Sequence, residues 1–216
     1  LLETAEPINP CADLYYALGV ICDDMGDDDE AMRCYREWHK IDPKDPDCCK
    51  LIAGHYAMGT GVKQNLELAM RYYQKAANQD DAESLFLLGV MYHEGHGARR
   101  NDKRALDYFT RAFNLGDETS LYYLGKLHLH GKGILADAEK AVSYFKQGIE
   151  REDVGCYISM ADCYSKGIGV EQDLDKAAEL IDKAEEMQDE IDDEALAQQF
   201  DTCKAYINTL RKSGEE

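Results

Sequence analysis

Four pairs of glycines, each separated by one residue, recur through the chain at one fixed step. Gly59 and Gly61 are followed 36 residues later by Gly95 and Gly97, then by Gly131 and Gly133, and then by Gly167 and Gly169. Other positions keep the same phase: Ile52, Leu88, Leu124 and Met160; Tyr56, Tyr92, His128 and Tyr164; Ala69, Ala105, Ala141 and Ala177. A period of this length marks an array of supersecondary units rather than a globular domain with one central core.

The residues between glycine pairs read as two helices. Leu85, Leu88 and Tyr92 fall at spacings of three and four, which places them on one helical face, and Gly95 stops that helix by taking a left-handed conformation. Ala105, Tyr108, Phe109 and Ala112 form the matching face of the second helix. The small residues let the paired helices approach, and the aromatics fill the space between them. An isolated hairpin leaves one apolar face bare, so the units are expected to stack. The fold class this predicts is all-α, a right-handed α-α superhelix (solenoid) of helical hairpins.

The motif in residues 88–112 resembles the Sel1-like repeat: Leu88-Gly89, Tyr92, Gly95-x-Gly97, Ala105, Tyr108-Phe109 and Ala112. Four such repeats are expected over residues 47–189. Residues 11–46 depart from them. The step from Leu18-Gly19 to Ile52-Ala53 is 34, the turn holds only Gly26, and Ala31, Tyr35 and Pro43 stand where a tetratricopeptide repeat has its small residue, aromatic and proline. An extended lead-in is expected over 1–10. Over 190–216 a capping helix and tail are expected, with Leu196, Phe200, Tyr206 and Leu210 inward and Ala197 in phase with Ala161. The Leu-Leu-Glu start reads as a segment of a longer protein.

The formal net charge is −19, concentrated in residues 23–30 and 185–194. Such a surface repels phosphate backbones and anionic lipid, so neither nucleic acid nor membrane insertion is expected; a protein or peptide partner, basic if charge steers it, is. A purely solubilising role for the acid is the plainer reading. The eight cysteines share no phase. In a cysteine-rich branch of the Sel1-like family, cysteines eight apart link neighbouring repeats, but the residue eight before Cys156 is Gly148, so reduced thiols and a cytoplasmic setting are expected.

No chemistry-bearing motif stands out, so no catalytic residue, metal site or cofactor is expected. An EF-hand loop with Gly26 as its sixth residue would begin at Ile21, where a carboxylate is required. His93, His96, His128 and His130, with Glu94, read as turn residues without a repeated ligand spacing. Cys163 and Cys22 read as buried thiols.

The inner face of the stack is the remaining candidate. In a tetratricopeptide-type stack the first helices line the concave side, and the residue three before each Leu-Gly glycine points into it: Tyr16, Lys50, Phe86, Tyr122 and Ile158. Further turns add Val90, Lys126 and Asp162, then Met58, Glu94 and His130. Aromatic anchors flanked by charges suit a peptide groove. In the competing reading Phe86 and Tyr122 wedge between first helices. The resemblance implies an adaptor that binds a protein or peptide in its concave groove. Alternatives are a hydrolase or small-ligand-binding protein like the cysteine-rich relatives, and an architectural spacer.

Overall fold

A computed structural model describes residues 11–187, 191 and 194–213. The predicted lead-in and the ends of the predicted tail lie outside these residues. Eleven helices and no strand are present among the described residues. They belong to two compact units that divide between Asn101 and Asp102.

The first unit contains α1 (Ala12–Asp24), α2 (Asp28–Ile41), α3 (Pro46–Met58), α4 (Leu66–Ala77) and α5 (Ala82–Glu94). Ala31, Tyr35, Cys48 and Ile52 are buried between α2 and α3, and Ala69, Ala76, Leu85 and Leu88 between α4 and α5. Helix α1 buries only Gly19, which lies under the ring of Tyr35. Its Leu14, Leu18 and Ile21, and Met25 just after it, stay exposed.

The second unit contains α6 (Asp102–Asn114), α7 (Ser120–His130), α8 (Ala138–Ile149), α9 (Val154–Lys166), α10 (Leu174–Glu186) and α11 (Glu194–Ser213). Phe109 of α6 stacks on Tyr123 of α7 at 4.8 Å. Phe145 of α8 packs with Cys156, Met160 and Cys163 of α9. Helix α11 closes the end of this unit by setting Phe200, Cys203 and Ile207 against Ile158, Ala161 and Ile181. Tyr206, expected inward, is exposed; the buried stripe runs 200, 203, 207, and Tyr206 falls on the flank.

The glycine pairs do two jobs. The first member ends a helix in the left-handed region, as Gly95 does at φ 81°, and the next residue's N–H bonds back to a carbonyl of the last turn, His96 to Met91 at 2.9 Å. The second member lets the turn rest on the preceding hairpin. A Cβ on Gly97 would stand 2.6 Å from the carbonyl oxygen of Leu66, at the start of α4. Some of the acid serves helix starts: Asp45, Asp81, Asp137, Asp153 and Asp173 each accept a hydrogen bond from a backbone N–H of the first turn, at 2.7–3.0 Å. Asp27 caps α2 in the same way.

Candidate functional site

The predicted inner row is placed differently in each unit. In the first, Lys50 is engaged between helices, with Nζ 2.9 Å from Glu83 and 3.7 Å from Asp81 at the start of α5. These carboxylates outweigh the opposing effect of burial and raise its pKa. Tyr16 is exposed and meets Trp38 edge-on at 5.2 Å. Phe86 is half-buried, while Met58 and Glu94 are exposed. Val90 lines a groove of about 320 Å³ with Leu87, Met91, Tyr73 and His96.

In the second unit the same row packs inward, Ile158 fully and Tyr122 in part. Ile158 has no exposed surface, because α11 covers it, so it offers nothing to a partner. Tyr122 lies between α7 and α9 with its ring against Gly155, where a Cβ would come within 2.8 Å of Cδ2. Lys126 sits above it, with Nζ donating to the phenol oxygen at 2.7 Å.

One turn further along, the row opens into a groove of about 450 Å³ built by α7, α9 and α11. Lys126, Leu129 and His130 form one wall and Ser159, Asp162 and Lys166 the floor. Gln198, Gln199, Thr202 and Tyr206 form the other wall. The lining keeps the period of the repeat: Lys126, Asp162 and Gln198 are 36 apart, as are His130, Lys166 and Thr202. The α11 residues were legible in that phase, since Ala197 is in register with Ala161. Reading the segment only as a cap hides them.

The groove sets polar side chains on a mainly apolar surface and is partly preorganised. Lys166 reaches Asp162 at 2.6 Å and lies 5.8 Å from the centre of the Tyr206 ring. The Asp162 carboxylate outweighs burial and raises the Lys166 pKa. Burial, with Lys132 and Lys126 nearby, lowers that of His130. Gln199 donates to the Ser159 hydroxyl at 3.4 Å. Two lysines flank one carboxylate here, a local balance opposite in sign to that of the whole chain, and the lowered pKa of His130 keeps its ring from adding to it. The bordering thiol of Cys203 is pushed up to about 12 by burial, and so is that of Cys163. Such thiols are poor nucleophiles at neutral pH. All eight cysteines are free. No described helix is long and apolar enough to cross a membrane.

Comparison with known proteins matches the Sel1 repeat at residues 46–81, 82–117, 119–153 and 156–189, and a tetratricopeptide repeat at 12–45. No curated protein matches the chain. Among solved structures, the chain is similar to a Sel1 repeat protein from Oxalobacter formigenes, with 26% identity, a TM-score of 0.72, and coverage of 83% of this chain and 76% of that one. It is also similar to c5321, a protective antigen of uropathogenic Escherichia coli with an SLR fold, with 23% identity and a TM-score of 0.74. That match covers 82% of this chain and only 38% of the antigen. MamA protein shares the fold more distantly, at 22% identity and a TM-score of 0.56 over 83% of this chain and 93% of that one. The fold is therefore the helical-repeat solenoid, and with four repeat matches spanning well over half its length, the chain belongs to the Sel1 repeat family.

Proposed function

We propose that the protein is an adaptor that holds an extended segment of a partner protein in the groove between α7, α9 and α11. The observation that carries this is the in-phase row of polar side chains along the groove. Lys126, Asp162 and Gln198, then His130, Lys166 and Thr202, offer side-chain donors and acceptors at a regular repeat along an open channel. Such spacing suits a peptide backbone with side chains at intervals better than it suits a compact small molecule. Sel1 and tetratricopeptide repeats are generally interaction scaffolds, which agrees with this reading. The raised thiol pKa values at Cys163 and Cys203 favour an adaptor over a thiol hydrolase. The free cysteines favour a reducing compartment such as the cytoplasm.

The local cationic balance favours an acidic side chain on the anchoring segment, near Lys126. The acidic remainder of the surface then acts at longer range, by favouring partners with basic flanks. The test is to select peptides by display on the intact chain and measure them against Lys126→Glu and Thr202→Arg. Each change should weaken the selected peptides at least tenfold, about 1.4 kcal/mol. Glu179→Lys, on the exposed side of α10, should leave binding unchanged. Selected peptides that ignore both groove variants, or that lack acidic residues, overturn the proposal.

A further inference from the structure

The first unit contains a polar cluster that the groove does not use. Asp23 at the end of α1, Asp28 at the start of α2 and His55 in the last turn of α3 bring one ligand atom each to within 4.8 Å of one another. The three elements come from two successive hairpins. Close approach is enforced by Gly61, whose missing side chain lets the turn after α3 rest on the carbonyl of Asp28.

His55 is out of character for its position. Steps of 36 carry it to Met91, Leu127 and Cys163, all buried and apolar or nearly so. His55 is 7% exposed. Its Nδ1 lies 3.0 Å from the carbonyl oxygen of Thr60 and 2.9 Å from the Thr60 hydroxyl. Two tautomers satisfy these contacts: with Nδ1–H donating to the carbonyl, Nε2 is left to meet a cation beside Asp23, and with the Thr60 hydroxyl donating to Nδ1, Nε2–H donates to the Asp23 carboxylate, 3.4 Å from Oδ2. A ring nitrogen anchored through its other N–H to a backbone carbonyl is the usual outer support of a metal-binding histidine.

Asp23 is held just as firmly. Tyr35, fully buried, donates its phenol proton to Oδ2 at 2.6 Å, and burial together with Asp23 raises the tyrosine pKa. The other oxygen, Oδ1, is shut off from solvent and has no hydrogen-bond partner, although His55 Nε2 is only 3.2 Å away. A buried carboxylate oxygen without a partner is costly unless a cation meets it. Asp28 adds a second negative charge to the same spot.

From this geometry we infer that Asp23, Asp28 and His55 form a binding site for one divalent first-row transition metal ion, of the zinc class. One imidazole nitrogen with two carboxylates suits a borderline ion; magnesium and calcium favour all-oxygen shells. Metal–ligand bonds of about 2.0–2.2 Å place ligand atoms about 3–4 Å apart, so small side-chain rotations close the set. Water fills the remaining positions on the side where Asp23 and Asp28 reach solvent. The ion clips α1, which has little buried surface of its own, to α2 and α3, and its role is structural.

The test uses the intact chain, stripped with chelator and titrated with cobalt(II) and zinc. Cobalt should bind with one equivalent and show visible d–d absorption without the near-ultraviolet band of thiolate ligation. Zinc should displace it and raise the melting temperature. Calcium and magnesium should compete at least a hundredfold more weakly. Asp28→Asn preserves shape at a half-buried surface position and should weaken zinc at least about tenfold, while the metal-free variant, relieved of the repulsion with Asp23, melts no lower than the metal-free wild type. His55→Gln should abolish binding, and His96→Gln, in the exposed turn after α5, should leave it unchanged. Absence of saturable binding, a thiolate band, equal affinity for calcium, or zinc affinity that both ligand variants leave intact would each overturn the site.

Discussion

The ring of Tyr122 rests on the backbone of Gly155, with the glycine's missing Cβ position 2.8 Å from Cδ2 and 2.9 Å from Cε2. This contact joins two first helices of successive repeats and makes Tyr122 a wedge. Tyr122→Ser should therefore cost about 2 kcal/mol of stability, less than the loss for a wholly buried aromatic. Gly155→Ala should cost about 1–3 kcal/mol by overpacking. Urea melts measure both, and a Tyr122→Ser variant as stable as wild type would return Tyr122 to the partner-facing surface.

The two glycines of one pair should not respond alike. Both Gly95 and Gly97 have positive φ, 81° and 73°, so alanine at either is strained by about 1–2 kcal/mol. At Gly95 the nearest atom to a new Cβ is Arg100 N at 3.3 Å, whereas at Gly97 it is the Leu66 carbonyl oxygen at 2.6 Å. Gly97→Ala should be the more destabilising by about 1 kcal/mol or more, since it must also shift backbone. Equal melting midpoints for the two variants would contradict this division of labour.

His128 should make the second unit sensitive to acid. It is buried, its Nδ1 has no hydrogen-bond partner, and burial followed by the charge of Lys140 lowers its pKa, with Asp137 opposing. With the folded pKa below the unfolded value of about 6.5, the unfolded chain takes up the proton first as pH falls, so stability drops from pH 7 towards pH 5. His128→Tyr installs the residue found at 56, 92 and 164 and should flatten that fall. Urea midpoints at the two pH values check it; an unchanged difference would place the acid sensitivity elsewhere.

Gly148 lies directly beneath Cys156, and its missing Cβ position is 2.8 Å from the Cys156 Cβ. Gly148→Cys restores the eight-residue spacing of the cysteine-rich relatives. Relaxed disulfides hold Cβ atoms about 3.5–4.5 Å apart, so the last turn of α8 must yield by about 1 Å. The reduced variant should be less stable than wild type by about 1–3 kcal/mol. After oxidation it should titrate one thiol fewer than wild type in denaturant. A variant with one thiol more under those conditions would show that the two helices do not yield.

What the sequence by itself determined were the features that repeat or act within a few residues. The 36-residue phase placed α3 to α10, the glycines that end the first helices and the small residues between paired helices. Aspartates ahead of helical stretches give the caps, since a cap reaches only three residues along the chain. The tertiary structure decided which side of each first helix is free. Those helices contact neighbours on several sides, so a heptad-like count cannot separate Ile158 and Tyr122, which pack inward, from Lys126 and Asp162 one turn later. Whether α11 only covers the core or also walls a groove depends on its rotation about its own axis. That rotation buries Cys203 and Ile207 and leaves Tyr206 exposed. The meeting of Asp23 and Asp28 with His55 depends on how closely two hairpins approach. The distance is set by Gly61 and by the packing of α1 on α2, and no periodicity in the chain records it.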